Sequence, residues 1–137
     1  MNNDHLFDKL EAAWTARDLN AFFDLYTDDC IYEDKALGVV NHGKEALRKF
    51  YGTVLEMTPD FHAHYTNHAT NETYGAAECI IGGTWSGELE GVDATGKTFT
   101  LPAVSCVEIR DGKIARQTDY WNYKSMMEQL GVKSLQG

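Results

Sequence analysis

Apolar residues in the N-terminal part of the chain recur at the three- and four-residue spacing of amphipathic helices. Asn3 or Asp4 can cap the first helix, and Asp18 can cap the second. The apolar positions of these two helices are Leu6, Phe7, Leu10, Ala13 and Trp14, then Leu19, Phe22, Phe23, Leu25 and Tyr26. A third helix follows Gly43 and ends before Pro59. Its apolar stripe is Leu47, Phe50, Tyr51, Val54 and Leu55.

From Phe61 onward the apolar period changes from helical to two, which is typical of strands. The pattern predicts a short strand over 30–34 and longer strands near 61–68, 74–87, 97–110 and 113–121. The pair Asp111-Gly112 predicts a tight hairpin, because it suits the positive φ of primed turns. The 87–97 stretch is predicted as a loop and 122–130 as a short closing helix. Helices followed by antiparallel strands indicate an α+β fold with helices on one face of a sheet.

The inner faces of the predicted strands mix small, large and polar side chains. Such a mixture is more typical of a ligand cavity than of a solid core. On the last two strands, the shared faces are Phe99, Leu101, Ala103, Ser105, Val107 and Ile109, then Ala115, Gln117, Asp119 and Trp121. On the strand before them the face is Ala77, Cys79, Ile81, Gly83 and Trp85. The adjacent Gly82-Gly83 marks a bend where the sheet curls.

Composition limits the classes that the chain can belong to. Its 137 residues, of which 43% are hydrophobic, fit one packed domain spanning 1–137. The net charge of −9 with scattered basic residues argues against a nucleic-acid partner. No basic-then-apolar leader and no run of about 18 apolar residues is found, so neither a signal peptide nor a membrane partner is expected. Three cysteines without C-x-x-C spacing indicate a reduced, cytoplasmic protein.

Four stretches of the chain form a recognisable order of motifs. They run over Leu25–Asp34, Gly43–Tyr51, Thr95–Phe99 and Glu108–Trp121. This order resembles the SnoaL-like branch of the nuclear transport factor 2-like superfamily, also called the cystatin-like or ketosteroid isomerase-like fold. The resemblance covers almost the whole chain. It implies a cone-shaped, curved mixed sheet packed against three N-terminal helices, and a homodimer formed through the outer face of the sheet.

The same resemblance implies roles for particular residues. Asp119, in Thr-Asp-Tyr-Trp, matches the acid/base aspartate of the polyketide cyclases and the catalytic aspartate of limonene epoxide hydrolase. Asp34, in Tyr-Glu-Asp, matches the proton-shuttling aspartate of ketosteroid isomerases, which are a worked example of carboxyl groups tuned by an apolar site. Tyr26 and Tyr51 match supporting tyrosines of some of those isomerases.

Two departures narrow the chemistry that the resemblance implies. The isomerases need a tyrosine and a protonated aspartate as oxyanion donors, and Leu10 and Ser105 stand at those positions here. Losing such a donor typically costs about 10²–10³-fold in rate, so a steroid isomerase is disfavoured. The epoxide hydrolase needs an arginine and a second aspartate on the strand that carries Cys79 and Ile81, so that chemistry is disfavoured too.

Each candidate residue also has a structural alternative. Asp119 could cap the final helix or pair with Arg116 or Lys113. Asp34 could be a strand-end aspartate that accepts backbone N–H bonds from the 35–42 loop. The histidines at 62, 64 and 68 have the even spacing of one strand face, but no further ligand accompanies them, so we expect no metal. Two carboxylates in one apolar pocket should raise the pKa of at least one.

The sequence therefore predicts a cofactor-independent enzyme acting on a small hydrophobic carbonyl compound, by cyclisation, isomerisation or elimination. Asp119 is the predicted general acid/base and Asp34 the second carboxylate. The predicted substrate-binding residues are Gln117, Ser105, Tyr32, Trp14, Phe50, Tyr51, Cys79, Ile81, Trp85 and Trp121. One alternative is a non-catalytic small-molecule-binding domain. Another is a dimeric scaffold whose cavity is filled by aromatic side chains.

Overall fold

The computed structural model describes residues 2–133, so the ends of the predicted 1–137 domain, Met1 and 134–137, lie outside the described residues. The helices in this part are α1 (Leu6–Ala16), α2 (Leu19–Phe23), α3 (Lys44–Met57) and α4 (Tyr123–Gln129). The first four strands are β1 (Tyr26–Asp34), β2 (Val39–His42), β3 (His62–Thr70) and β4 (Tyr74–Thr84). The others are β5 (Glu88–Leu89), β6 (Val92–Asp93), β7 (Thr98–Arg110) and β8 (Lys113–Trp121).

Six strands form one sheet in the order β2-β1-β8-β7-β4-β3, and β5 and β6 form a separate hairpin. The pairing of β1 with β8 is parallel, while the other pairings in the large sheet are antiparallel. The sheet is therefore mixed, and α1, α2 and α3 pack against it. This confirms the predicted α+β fold. Within residues 2–133, no helix has the length and apolar composition that crossing a bilayer requires.

The predictions for three segments need correction. The second helix ends at Phe23, and Tyr26 opens β1 instead of closing the helix. The helical spacing of Phe22, Phe23 and Tyr26 is overridden because Tyr26 pairs with Ile114 in the parallel ladder. The 35–42 segment, predicted as a loop, contains β2, and the 87–97 loop contains the β5–β6 hairpin.

Register shifts in two strands reverse part of the predicted face pattern. On β8 the pairs Glu108↔Arg116 and Ile109↔Ile114 leave Ala115 as an extra residue. Ile114 is consequently buried on the core side, which corrects the prediction that it lies on the side opposite to Ala115 and Gln117. On β3 a shift after Tyr65 has the same effect. It separates His68, which packs its ring 5.6 Å from that of Phe7, from the exposed His62 and His64.

The core has two clusters of buried residues. One joins α1, α2 and α3 to the sheet, with Trp14, Phe22 and Tyr51 in mutual ring contact. The other joins α4 to β7 through Leu101, Met126 and Leu130. Members of both clusters line a single internal cavity. Both the N-terminal helices and α4 thus contribute side chains to the wall of this cavity.

Candidate functional site

A cavity of about 240 Å³ lies between the helices and the concave sheet face. Its wall is mainly aromatic and aliphatic. All predicted site residues except Gln117 line it: Trp14, Tyr32, Asp34, Phe50, Tyr51, Cys79, Ile81, Trp85, Ser105, Asp119 and Trp121. Both Trp85 and Trp121 border open space, so the hypothesis of a cavity filled by aromatic side chains is not supported. A volume of this size admits a small organic molecule.

Asp119 is half-buried in the wall of the cavity, and three side chains donate hydrogen bonds to its carboxylate. The Tyr32 hydroxyl donates to Oδ2 at 2.6 Å, and the Ser105 hydroxyl donates to Oδ1 at 2.6 Å. The Gln117 amide also donates to Oδ1, at 2.9 Å. None of the three predicted structural alternatives for Asp119 occurs. Asn122 caps α4, Arg116 bonds to Glu33, and no ion pair within residues 2–133 joins Lys113 to Asp119.

The pKa of Asp119 is raised above its ordinary value. Burial is the main cause, since an apolar wall disfavours the charged carboxylate, and the charge of Asp34 adds to it. The hydrogen bonds from Ser105, Tyr32 and Gln117 act in the opposite direction, because they stabilise the charged form. The predicted direction for one of two carboxylates in a shared pocket is therefore confirmed.

The three predicted ligands of a substrate oxygen have a different role in the structure. Tyr32, Ser105 and Gln117 all donate to Asp119. Gln117 is only 2% exposed and stands behind the wall instead of in it, because its side chain lies between Asp119 and Tyr26. Contact of these residues with a substrate stays a prediction for Tyr32 and Ser105, while the placement of Gln117 argues against it.

Asp34 is 4% exposed, and two donors occupy its carboxylate. The backbone N–H of Leu37 donates to Oδ1 at 2.9 Å, and the Trp121 indole N–H donates to Oδ2 at 2.9 Å. The first bond is the strand-end interaction that the sequence left open. The second fixes an aromatic ring of the cavity wall. Asp34 therefore has a clear structural role, and its catalytic role stays a prediction.

Buried tyrosine hydroxyls surround the carboxylates. Burial, followed by the charge of Asp119, raises the pKa of Tyr32, Tyr51 and Tyr65 well above the ordinary value, so each stays protonated at neutral pH. Tyr51 and Tyr65 both line the cavity. The sequence argument missed Tyr65. It could have been predicted, because successive residues of a strand face opposite sides and the exposed His62 and His64 place Tyr65 on the inner side.

The other described residues that line the cavity provide neither a reactive thiol nor a basic side chain. Burial, together with the charge of Asp119, raises the pKa of the Cys79 thiol to about 12, which suits a core residue and not a nucleophile. No lysine, arginine or histidine within residues 2–133 lines the cavity. The described residues also contain no cluster of ligating side chains that could hold a metal ion.

One part of the cavity wall was not predicted from the sequence. Its lining includes Leu37, Val54, Met57, Leu89, Tyr123 and Met126. These residues come from the β1–β2 link, α3, β5 and α4, which are far apart in the chain. Each is an ordinary apolar position of its own element, so only the packing of those elements reveals the shared surface.

A family model described as SnoaL-like polyketide cyclase matches residues 4–130. No curated protein sequence matches the chain at a significant level. A solved candidate polyketide cyclase from Pseudomonas putida is 29% identical, with a TM-score of 0.80 over 94% of this chain and 98% of the other.

Two further solved structures share the fold at lower identity. IdmH, a candidate polyketide cyclase from Streptomyces antibioticus, is 22% identical with a TM-score of 0.83 over 96% of this chain and 100% of the other. A protein of ketosteroid isomerase-like fold from Catenulispora acidiphila, solved with trimethylamine, is 23% identical with a TM-score of 0.81 over 93% of each chain. The curved sheet with its N-terminal helices is thus a shared architecture.

Proposed function

Because the chain belongs to the SnoaL-like polyketide cyclase family, we propose that it is a small-molecule enzyme in which Asp119 acts as general base and acid. The substrate in this proposal is an uncharged, hydrophobic carbonyl compound. The observation that carries the proposal is the Asp119 carboxylate, which three donors hold in the wall of an apolar cavity of about 240 Å³. No cofactor takes part in the proposed reaction.

The hydrogen bonds of Asp119 suggest which of its oxygens takes the proton. Oδ1 accepts from both Ser105 and Gln117, whereas Oδ2 accepts from Tyr32 alone. A carboxylate oxygen has two lone pairs, so Oδ2 keeps one acceptor position uncommitted. In the proposed reaction, the α-proton of the substrate moves to Oδ2 and the C–H electron pair moves into the carbonyl to form an enolate. Return of that proton to another atom completes an isomerisation. In a cyclisation, the enolate carbon attacks a second carbonyl to close the ring, and the proton on Oδ2 passes to the resulting alkoxide.

A raised pKa suits Asp119 to this step. A stronger base lies closer in proton affinity to an activated C–H bond, and catalysis is most effective when the pKa of the base approaches the working pH. The same shift makes the protonated form a usable acid for the second half of the reaction. Burial supplies the increase, and the three donors keep the carboxylate oriented.

The enolate oxygen needs a donor, and the hydroxyls of Tyr51 and Tyr65 are the candidates. Both hydroxyls stay protonated at neutral pH, and both rings line the cavity. Tyr32 and Ser105 are less suited, since each already donates to Asp119. A lining with two carboxylates and no basic side chain within residues 2–133 disfavours an anionic substrate, which would find no counter-charge.

Exchange of substrate hydrogen for deuterium tests the proposal directly. Uncharged aromatic and aliphatic 1,3-dicarbonyl compounds are first screened for stabilisation of the protein, because a ligand at 100 times its Kd stabilises by about 2.7 kcal/mol. NMR in D₂O then follows loss of the α-proton signal. We expect enzyme-dependent exchange that falls about 10²–10⁴-fold in Asp119→Asn. Equal exchange by wild type and variant would exclude Asp119 as the base.

A non-catalytic binding domain is the second candidate. It is favoured by the structural contacts of Asp34, since each of its carboxylate oxygens already accepts a hydrogen bond from the protein. The screen above separates the two candidates. Compounds that stabilise the protein but show no enzyme-dependent exchange or product would identify a binder.

We further propose a cytoplasmic homodimer, formed through the outer sheet face. Val104 and Tyr120 pair across β7 and β8 and are 39% and 47% exposed, an unusual exposure for large apolar side chains in neighbouring strands. Light scattering of the purified protein gives its mass. The double variant Val104→Glu/Tyr120→Glu should be monomeric, and a wild-type monomer would contradict the proposal.

A further inference from the structure

A buried hydrogen-bond chain leads from Asp119 to a tyrosine outside the cavity. The Tyr26 hydroxyl donates to Gln117 Oε1 at 2.6 Å, and Gln117 Nε2 donates to Asp119 Oδ1 at 2.9 Å. Tyr26 is 1% exposed and Gln117 is 2% exposed, so water does not compete for either group. Neither side chain lines the cavity. We infer that Tyr26 is a positioning residue, whose hydroxyl holds the Gln117 amide in the orientation that donates to Asp119.

The chemistry of the amide supports this role. A glutamine side chain presents a donor at one end and an acceptor at the other, and a half-turn about its last bond exchanges them. With Nε2 towards Asp119, the amide donates to the carboxylate and accepts from Tyr26. In the reversed orientation, Oε1 would face the carboxylate oxygen at close range, and two acceptors repel each other. The carboxylate, which only accepts, therefore selects the first orientation, and the Tyr26 hydroxyl stabilises it by donating to Oε1 at 2.6 Å.

The consequence concerns Asp119 and rests on the proposed function where catalysis is concerned. Gln117 and Ser105 together occupy Oδ1, which leaves Oδ2 as the oxygen that exchanges a proton with substrate. Without the Tyr26 hydroxyl, Oε1 of Gln117 becomes a buried acceptor with no donor, so the amide loses the contact that holds it in place. The stabilisation of the charged carboxylate then weakens.

Several titratable groups besides Tyr26 act on Asp119. They are Asp34 and Tyr32 on β1, Tyr51 on α3, Tyr65 on β3 and Cys79 on β4. The test must therefore separate an effect through Gln117 from a change in these neighbours. A double-mutant cycle does so, because it measures the coupling of two side chains directly.

The experiment titrates Asp119 in the free protein by NMR of its ¹³C-labelled carboxyl group. The variants are Tyr26→Phe, Gln117→Leu and the double substitution. We expect Tyr26→Phe to raise the pKa of Asp119, since a hydrogen bond to the charged form is weakened. In the Gln117→Leu background the same change should have no further effect. Additive shifts in the double variant, or no shift in Tyr26→Phe, would overturn the inference.

A second measurement uses the wild-type chain and is safe against misfolding. The side-chain ¹⁵N–H₂ resonances of Gln117 should move with the same midpoint as the Asp119 carboxyl. Tyr65→Phe is the matched control, since it removes a buried hydroxyl of the same cavity that makes no bond to Gln117 in the structure. In Tyr65→Phe, the Gln117 resonances should still titrate with the same midpoint as the Asp119 carboxyl of that variant. Gln117 resonances that ignore the Asp119 titration in the wild type would overturn the inference.

Both readouts are independent of turnover. If the protein proves to be a binder, the titrations still decide whether Tyr26 acts through Gln117. If it is an enzyme, the acid limb of its pH–rate profile should move to higher pH in Tyr26→Phe by the same amount as the carboxyl midpoint. An unmoved profile together with a moved midpoint would refute the role of Asp119 as base and leave the hydrogen-bond chain in place.

Discussion

Asp34 and Asp119 are register partners on the neighbouring parallel strands β1 and β8, so both carboxylates line the same cavity. Their surroundings differ. Asp34 is held by a backbone N–H and by the indole of Trp121, whereas Asp119 is held by side chains from three strands. Asp34 thus holds the Trp121 ring in the cavity wall, and its charge raises the proton affinity of Asp119.

Asp119 should make the stability of the protein depend on pH with a definite sign. Burial raises its folded-state pKa above the unfolded value of about 3.9. Between these two values the folded state binds more protons, so the free energy of unfolding decreases as the pH rises. We expect the wild type to lose stability relative to Asp119→Asn as the pH is raised from about 4 through the raised pKa. Urea unfolding of both proteins over a pH series measures the difference.

A constant offset between the two curves does not affect this expectation, because asparagine also changes the hydrogen bonds. Only the slope of the difference carries the argument. Parallel curves over the whole range would mean that Asp119 titrates alike in the folded and unfolded chains.

Ser105→Ala should raise the pKa of Asp119 further. The serine hydroxyl donates to Oδ1 at 2.6 Å and is among the groups that stabilise the charged carboxylate. Without this hydrogen bond the charged carboxylate is less stable, so the midpoint of the carboxyl NMR titration should shift to higher pH. The control is Ser86→Ala, an exposed position away from the cavity. A midpoint that is equal in both variants would contradict the expectation.

Gly83→Ala should destabilise the fold. A Cβ at this position of β4 would lie 2.9 Å from Asp60 Oδ1 and closer still to Thr58 Cγ2. Asp60 cannot easily move away, since it accepts hydrogen bonds from both the N–H and the hydroxyl of Thr84. Overpacking of this kind costs about 1–3 kcal/mol, which chemical denaturation would measure.

Gly52→Ala is the matched control for that substitution. Gly52 lies in α3, is exposed, and has no atom within 4 Å of an added Cβ. Alanine at an exposed helical position should stabilise by about 0.5–1 kcal/mol. Destabilisation by Gly52→Ala, or tolerance of Gly83→Ala, would contradict the packing described here.

Alkylation should distinguish the three cysteines. Cys106 is exposed on the outer sheet face, while Cys30 and Cys79 are buried. Burial also raises the pKa of both buried thiols, to about 12 for Cys79, so little reactive thiolate is present at pH 8. In the monomeric variant Val104→Glu/Tyr120→Glu, whose outer sheet face is uncovered, iodoacetamide under native conditions should modify Cys106 alone, as read by mass spectrometry of peptides. Modification of Cys79 at a similar rate would show that the cavity opens widely in solution.

Much of the site could be predicted from the sequence, because side chains alternate between the two sheet faces wherever the strand pairing is regular. On β7 the alternation is unbroken from Thr98 to Arg110, so Ser105 was correctly placed on the inner face. The same argument failed at Ile114 and His68, where an extra residue in one strand reverses the faces. A bulge is an extra residue relative to the partner strand, so the apolar pattern of the strand that contains it does not reveal it.

By itself, the amino-acid sequence determined the α+β class, the family resemblance and the identity of the two inward carboxylates, since these follow from local periodicity and residue order. The tertiary structure alone decided what each carboxylate contacts. Whether Gln117 meets a substrate or Tyr26 depends on contacts between residues 91 positions apart. Such contacts fix burial and hydrogen bonding, and therefore proton affinity, which no pattern along a single strand contains.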